Sequence, residues 1–168
     1  MKRVLVVGCA GAGKSTFSQE LAWITELPLI SLDRHFWLPG WVESDLRVFA
    51  SKVRELAEDP KWVMDGNYGR TLSARLAYAD TVIFLDMPRM LCLWRVIKRT
   101  AGNYGRVRDG MPHGCPERLD WNFLRYIWHF NSSHRPRLEE SLRTFDGRIV
   151  TLRNRREVDT YLADLKAV

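Results

Sequence analysis

Apolar residues occur along this chain in two alternating patterns, which predict strands and helices in turn. Short continuous apolar runs are typical of strands that are buried on both faces of a parallel sheet. Such runs predict strands over residues 2–7, 28–32, 62–64, 81–85 and 149–152. Apolar residues at helical spacing predict helices over residues 15–25, 45–58, 72–78, 89–100, 119–129, 137–142 and 157–166. We therefore expect an α/β fold, with a parallel sheet between two layers of helices, in a single domain over residues 1–168.

The loop after the first predicted strand carries the strongest functional signal. Residues 8–15 read Gly-Cys-Ala-Gly-Ala-Gly-Lys-Ser, which fits the phosphate-binding pattern G-x-x-x-x-G-K-S between a strand and a helix. In such a loop the backbone N–H groups and the helix dipole face the phosphates, Lys14 neutralises their charge, and Ser15 offers a hydroxyl to Mg²⁺. The motif predicts binding of a nucleoside triphosphate, ATP or GTP, with Mg²⁺. The candidate nucleotide-binding residues of this region are Gly8, Gly11, Ala12, Gly13, Lys14, Ser15 and Thr16.

Aspartates follow three of the predicted strands, at Asp33, Asp65 and Asp86. Ligands of an open parallel sheet bind at the carboxyl ends of its strands, although an aspartate there can also cap a helix or a turn. A magnesium ion needs carboxylate ligands and an acceptor hydroxyl needs a base. We interpret Asp33 as a general base or metal contact, and Asp65 as a ligand of Mg²⁺ through water. For Asp86 the functional and the structural interpretation both stay open.

Composition and charge narrow the class of protein further. The chain is 46% hydrophobic and 27% charged, which is typical of a globular protein, and no apolar run approaches the ~18 residues of a membrane span. The three cysteines are isolated, so we expect neither a zinc site nor a disulfide framework, and a cytoplasmic location. A net charge of +6 suits a protein that binds nucleotide phosphates or nucleic acid. Residues 101–116 contain four glycines, which predicts a mobile or irregular segment.

Several longer segments are distinctive beyond the phosphate loop. They read Leu-Asp-Arg-His-Phe-Trp-Leu-Pro-Gly-Trp at 32–41, Met-Asp-Gly-Asn-Tyr at 64–68, Leu-Cys-Leu-Trp-Arg-Val-Ile-Lys-Arg at 91–99, Gly-Cys-Pro-Glu at 114–117 and Trp-His-Phe at 128–130. With the phosphate loop, they resemble the nucleoside and nucleotide kinase branch of P-loop proteins, and more closely the bacterial DNA topology modulation protein family. The resemblance covers nearly the whole chain. It implies a three-layer P-loop NTPase fold with a five-stranded parallel sheet in the order 2-3-1-4-5.

The same resemblance implies an acceptor region after the second strand and a lid after the fourth, here residues 101–116. Asp65 resembles the magnesium-supporting aspartate of nucleotide kinases, and Asp33 resembles the catalytic aspartate of shikimate-type kinases. The sequence departs from nucleotide kinases after Asp65-Gly66. It lacks their aromatic-Pro-Arg run, which argues against a nucleoside monophosphate acceptor and makes Arg70 the candidate replacement. The candidate acceptor-binding residues are Asp33, His35, Tyr68 and Arg70.

Basic residues supply the remaining candidates. Arg95 and Arg99 lie four apart on one helix face, and Arg106 and Arg108 lie in the glycine-rich segment. In this kinase branch such arginines close over the transferred phosphoryl group, so we expect at least one of them to reach the γ-phosphate. Asn154 follows the last predicted strand, where it is either an adenine-binding residue or a helix cap. Trp37, Trp41, Trp121 and Trp128 are more often core or interface residues than walls of a pocket.

Two functions are consistent with these residues. The favoured hypothesis is a phosphotransferase that uses ATP and Mg²⁺ to phosphorylate a small-molecule acceptor, with Lys14, Asp33, Arg95 and Arg99 as candidate catalytic residues. The alternative is a nucleotide-binding regulator that acts on DNA topology, for which the basic residues would contact phosphodiester groups. The sequence contains no recognisable DNA-reading module, so direct nucleic-acid binding is not favoured. A hydrolysing switch is a third possibility. We expect no membrane association.

Overall fold

The computed structural model describes residues 1–108 and 110–167 of the chain. Asp109, inside the predicted lid, and Val168, at the end of the predicted domain, lie outside the described residues. The strands are β1 (Arg3–Gly8), β2 (Leu29–Ser31), β3 (Trp37–Leu38), β4 (Val42–Glu43), β5 (Trp62–Asp65), β6 (Thr81–Leu85) and β7 (Arg148–Leu152). The helices are α1 (Lys14–Thr25), α2 (Asp33–Phe36), α3 (Leu46–Glu58), α4 (Gly69–Leu76), α5 (Arg89–Asn103), α6 (Trp121–His129), α7 (Arg135–Arg143) and α8 (Arg155–Lys166). A π-helical turn, Phe130–His134, joins α6 to α7.

Five of the strands form one parallel sheet in the order β2-β5-β1-β6-β7. In register, Leu5 of β1 lies between Met64 of β5 and Val82 of β6. The predicted α/β class and parallel sheet are confirmed. When the strands of this sheet alone are counted along the chain, their order is also the expected 2-3-1-4-5; the numbering differs only because β3 and β4 lie outside the sheet.

A separate two-stranded antiparallel hairpin, β3 with β4, follows α2. The sequence predicted only an irregular loop here, because strands of two residues are too short to show an alternating pattern. The tip of the hairpin contacts the segment that connects α5 to α6, residues 104–108 and 110–120, which we call the connecting segment. The Gly40 N–H donates to the Gly114 carbonyl at 2.8 Å, and Trp41 Nε1 donates to the Pro116 carbonyl at 2.8 Å. The hairpin and the connecting segment are therefore joined.

The core lies on both faces of the sheet. Alternate residues of β1 point to opposite sides, so Val4 and Val6 join one apolar cluster while Leu5 and Val7 join the other. The first cluster includes residues of α1, α5, α6 and α8, and the second includes residues of α3, α4 and α7. This is the three-layer arrangement, and it brings the loops at the carboxyl ends of the strands to a common edge. Among residues 1–108 and 110–167, no helix combines the length and the apolar character of a membrane span.

Candidate active site

The phosphate-binding loop joins β1 to α1, as the sequence predicted. The N-cap of α1 is Gly13, in a left-handed conformation with φ 98°, and no side chain caps this end of the helix. Its first N–H groups are therefore available to an anion. Lys14 Nζ donates to the carbonyls of Gly8 and Cys9, at 2.9 and 3.0 Å, so the lysine side chain folds back onto the phosphate loop.

Helix α5 supports the outer side of this loop. A Cβ at Gly11, where φ is +82°, would lie 2.3 Å from the carbonyl oxygen of Cys92 in α5. Arg95, also in α5, donates from Nη1 to the Ala12 carbonyl at 3.1 Å and lines the same cavity as the loop. Because the loop is packed directly on α5, the glycine at position 11 is required by space as well as by conformation.

Asn67 holds the beginning of the loop. The Gly8 N–H donates to Asn67 Oδ1 at 3.0 Å, and Asn67 Nδ2 donates to the Gly8 carbonyl at 2.7 Å. The same Nδ2 atom lies 3.2 Å from the hydroxyl oxygen of Tyr126. One amide side chain therefore satisfies both backbone groups of Gly8 and fixes the start of the phosphate loop against the end of β5.

The Asp65 carboxylate lies where a metal ligand is expected. Asp65 ends β5, pairs in register with Val6 of β1, and is only 7% exposed. Burial raises the pKa of its carboxyl group, whereas the charge of Lys14 and the hydroxyl of Ser15 act in the opposite direction. Its Oδ1 atom is buried and has no hydrogen-bond partner among the described residues. A buried carboxylate oxygen that lacks a partner beside a phosphate loop fits a Mg²⁺ ligand.

The described residues do not complete a metal site on their own. Within the described part of the chain, no group of three or more His, Cys, Asp and Glu residues could hold a metal ion. Magnesium keeps several waters and usually takes one or two carboxylates together with substrate phosphates. Ser15 and Asp65 therefore fit an ion that arrives with the nucleotide.

Asp33 is the first residue of α2, and Tyr68 orients it. The Tyr68 hydroxyl donates to Asp33 Oδ1 at 2.5 Å. Burial and the charge of Asp33 raise the pKa of Tyr68, so the phenol stays protonated and remains a donor. Within the described residues, the other carboxylate oxygen of Asp33 has no hydrogen bond. Asp33 also lines the cavity that the phosphate loop lines. The structure thus brings together two of the predicted acceptor residues.

A buried arginine holds the loop that follows β5, residues 66–68. Arg75, in α4, is 0% exposed; Nη1 donates to the Gly66 carbonyl at 2.9 Å, and Nη2 donates to the carbonyls of Asn67 and Tyr68. Burial lowers the pKa of Arg75 to about 10. Among the described residues, no carboxylate forms an ion pair with it. Backbone carbonyls alone therefore satisfy this charge.

A buried carboxylate brings together an arginine of α5 and an arginine of the connecting segment. Glu117 is 5% exposed, and its Oε1 atom lies 3.2 Å from Arg99 Nε and 2.9 Å from Arg108 Nε. Its Oε2 atom accepts a hydrogen bond from the Thr100 hydroxyl at 3.2 Å. Burial, together with the nearby charge of Arg108, lowers the pKa of Arg99. Both arginines line the main cavity, so Glu117 fixes cations along its wall.

One cavity of about 1070 Å³ is lined by residues of the phosphate loop, by Asp33, Asp65, Asn67 and Tyr68, and by Glu117 with its two arginines, whereas Arg75 is not among its lining residues. Its remaining wall combines arginines with aromatic side chains, including Trp37 and Trp41, which were expected to be core or interface residues. By contrast, Trp121 and Trp128 are 74% and 46% exposed. The residues that line the cavity away from the phosphate loop include Trp37, Trp41, Tyr68, Arg70, Leu72, Met111, Arg118, Phe123, Tyr126, Phe130, His134, Arg137, Leu138 and Ser141.

Five predicted site residues do not line this cavity: Gly8, Ala12, His35, Arg106 and Asn154. Gly8 and Ala12 belong to the phosphate loop, whose other predicted residues do line it. Arg106 is exposed in the connecting segment, where its carbonyl accepts from the Glu117 N–H. His35 lies in α2 next to Asp33 but outside the cavity wall. Asn154 caps α8: it accepts from the Glu157 N–H at 3.0 Å, so the capping interpretation describes its side chain.

Asp86, whose role was left open, forms an ion pair with Arg135 at 2.9 Å and also does not line the cavity. Its interpretation as the end of a strand is therefore favoured.

No functional role was predicted for Asn67, Arg75, Glu117 or Arg137 from the sequence. Asn67 stood in a quoted segment, and its position two residues after Asp65 could have suggested a contact with the neighbouring strand end. Arg75 and Glu117 carry no local signal, because a charged residue in a helix or loop is normally exposed. Only the tertiary structure shows that they are buried.

Comparison with known structures identifies the fold. The shikimate kinase from Acinetobacter baumannii, solved in complex with shikimate, matches with a TM-score of 0.64 and 16% identity over 98% of this chain and 90% of that chain. The shikimate kinase from Bacteroides thetaiotaomicron matches with a TM-score of 0.56 and 14% identity over 99% of this chain and 97% of that chain. No protein-family model and no curated protein matches the sequence. The chain thus has a P-loop kinase fold, and its resemblance to the DNA topology modulation family stays a prediction.

Proposed function

We propose that this protein is a phosphotransferase that moves the γ-phosphoryl group of ATP to a hydroxyl group of a small anionic acceptor. The observation that carries the proposal is the composition of one cavity. The phosphate loop with Lys14 and Ser15 lines one part of it, and Asp33, a candidate base with a free carboxylate oxygen, lines another. The likeness of the fold to kinases supports the same conclusion.

At the nucleotide end, the loop residues bind and orient the phosphates. The N–H groups at the start of α1 donate hydrogen bonds to the phosphate oxygens, and Lys14 exchanges its contacts with Gly8 and Cys9 for the β- and γ-oxygens. Ser15 and the unpartnered Oδ1 of Asp65 would hold Mg²⁺. That ion would supply charge neutralisation of the triphosphate.

At the acceptor end, Asp33 acts as the base. The oxygen of the acceptor hydroxyl attacks the γ-phosphorus while its proton passes to Asp33, and the bond from the γ-phosphorus to the β–γ bridging oxygen breaks to release ADP. Tyr68 occupies Oδ1 of Asp33, which leaves the other oxygen to face the acceptor. Arg95, Arg99 and Arg108 line the cavity wall and would stabilise the charge that is transferred.

The acceptor itself is predicted to carry a negative charge. Arg70, Arg118 and Arg137 all line the cavity outside the phosphate loop. Among the described residues, Arg118 has a single weak ion pair, with Asp120 at 4.0 Å. Arginine forks bind carboxylate and phosphate groups in a bidentate manner, and the aromatic walls exclude water from the reaction. A small acid or phosphate ester with a free hydroxyl fits this lining better than a neutral sugar.

The test is the release of ADP from Mg-ATP by the purified protein, with matched pools of acceptors. One pool contains hydroxy acids and sugar phosphates, and the control pool contains the corresponding neutral alcohols and sugars. Release that depends on the anionic pool and on Mg²⁺, and that stops with EDTA, is the expected result. Equal release with the neutral pool would refute the anionic acceptor, release without any acceptor would indicate a hydrolysing switch, and no release would refute the phosphotransferase.

A further inference from the structure

The loop formed by residues 66–68 contacts both ends of the cavity, and one buried guanidinium holds this loop. Resting on the function proposed above, we propose that Arg75 is a positioning residue that sets the phosphate loop and the Asp33 base together. It touches neither substrate. It acts by fixing three successive carbonyls, those of Gly66, Asn67 and Tyr68.

The first arm of this arrangement runs through Asn67. Its side chain bonds both backbone groups of Gly8, at 3.0 and 2.7 Å, while its own carbonyl accepts from Arg75. A shift of the Asn67 backbone would therefore be transmitted to the first residue of the phosphate loop. No contact joins Arg75 to Gly8 directly among the described hydrogen bonds, so the effect passes through the amide.

The second arm runs through Tyr68. Its carbonyl accepts from Arg75 Nη2 at 3.1 Å, and its hydroxyl donates to Asp33 at the other end of the side chain. Tyr68 has a φ of 32°, a left-handed conformation that a residue with a side chain adopts only when its surroundings hold it there. The hydrogen bond from Arg75 supplies such a restraint.

The chemistry of arginine explains why this position is charged. Burying a cation without a carboxylate partner carries a large free-energy penalty, and an apolar side chain at this position of α4 would avoid it. The planar guanidinium, however, presents five donors in fixed directions, which suits several carbonyls of one tight loop. Lysine keeps the charge but replaces this fork with one rotatable ammonium, so Arg75→Lys removes the geometry specifically.

The experiment follows amide hydrogen exchange by NMR in the full chain without nucleotide. The reporters are the Gly8 amide for the first arm, and the His35 and Phe36 amides of α2, which donate to the Leu32 carbonyl, for the second. Arg75→Lys should speed exchange at both ends by about two- to tenfold, the effect of a lost hydrogen bond.

The matched control is Arg3→Lys, because Arg3 also donates to backbone carbonyls, those of Asp59 and Tyr78, but away from the cavity.

Two further variants test the proposal without changing Arg75. If Arg75 holds the loop, Asn67→Ala should speed exchange only at Gly8, and Tyr68→Phe only in α2. Faster exchange in α2 for Asn67→Ala, or at Gly8 for Tyr68→Phe, would show that the two arms themselves hold the loop. Either result would overturn the role of Arg75. Unchanged exchange at both ends in a folded Arg75→Lys protein would overturn it as well. These readings remain decisive if Arg75→Lys fails to fold.

A binding measurement separates this inference from the proposed function. MgADP affinity, measured by calorimetry, should fall about tenfold in Arg75→Lys and in Asn67→Ala but stay at the wild-type value in Tyr68→Phe, since only the first arm reaches the phosphate loop. Equal affinity in wild type and Asn67→Ala would refute the first arm. If the wild type itself does not bind MgADP, the phosphotransferase proposal fails, while the exchange rates still report whether Arg75 positions the two ends.

Discussion

Replacing Gly11 with alanine tests how closely the phosphate loop is packed against α5. At Gly11 the new Cβ would lie 2.3 Å from the Cys92 carbonyl oxygen, with φ at +82°. Gly40 offers a matched control, because its φ is +81° and no atom lies within 4 Å of the corresponding Cβ position. The two substitutions therefore share the conformational cost and differ only in the steric one.

The expected free energies of unfolding follow from these two terms. A left-handed conformation costs an alanine about 1–2 kcal/mol relative to glycine, partly offset in both variants by about 0.4–1 kcal/mol from the stiffer unfolded chain. Overpacking adds about 1–3 kcal/mol at Gly11 alone. We expect Gly40→Ala to lose about 1 kcal/mol and Gly11→Ala about 2–4 kcal/mol, with about 2–4 °C of melting temperature per kcal/mol.

Urea unfolding measures both free energies, and calorimetry with Mg-ATP measures the functional consequence. Because the clash lies in the phosphate loop, Gly11→Ala should also weaken Mg-ATP binding, whereas Gly40→Ala should not. Equal stability losses in the two variants would show that the loop yields without cost. The packing argument would then be wrong, even if both variants were destabilised.

Four further substitutions or conditions test the remaining residues of the site. Lys14→Ala should abolish ADP release while leaving urea unfolding close to wild type. Asp33→Asn should keep its affinity for Mg-ATP but slow transfer by about a hundredfold or more in single-turnover experiments. Burial raises the pKa of Asp65, so protons compete with Mg²⁺ above the pH range of an ordinary aspartate, and Mg²⁺-dependent ATP binding should weaken as the pH falls through that raised pKa. Glu117→Gln should cost about 1–3 kcal/mol of stability and slow transfer, because two arginines lose their shared carboxylate.

Each of these predictions has a control or a contradicting result. Lys52→Ala and Glu140→Gln change exposed ion pairs and should leave activity and stability nearly unchanged. Normal turnover in Lys14→Ala, or a loss of only a few-fold in Asp33→Asn, would remove that residue from the mechanism. For Asp65, binding of Mg-ATP that is independent of pH in this range would contradict its role as a ligand. For Glu117, a stability equal to that of Glu140→Gln would show that the buried pairing contributes little.

The fold and the phosphate loop could be predicted because their signals are local. The residues around Lys14 form a contiguous motif, and the alternation of apolar strands with amphipathic helices determines the sheet. Asp33 and Asp65 could also be located, since parallel strands bring their carboxyl ends to one edge.

The rest of the site depends on contacts between segments that are distant in sequence. Glu117 pairs with Arg99, 18 positions earlier, through a buried contact that no periodicity reports. Arg75 resembles an ordinary surface cation of a short helix, and its burial follows only from how α4 packs against the loop after β5. The role of Asn154, by contrast, depends on a local contact, because an asparagine directly before a helix commonly caps it.

The joint between the β3–β4 hairpin and the connecting segment has a consequence for the affinities of the two proposed substrates. Gly40 and Trp41 bond the segment that carries Arg108, and both Trp41 and Arg108 line the cavity, so these hydrogen bonds join two parts of its wall. Under the proposed function, the two substrates would contact parts of the wall that are joined in this way. Thermodynamic reciprocity then requires that the acceptor and ATP change each other's affinity by the same factor. In the proposed phosphotransferase, an acceptor that strengthens the binding of ATP would itself bind more tightly when ATP is present.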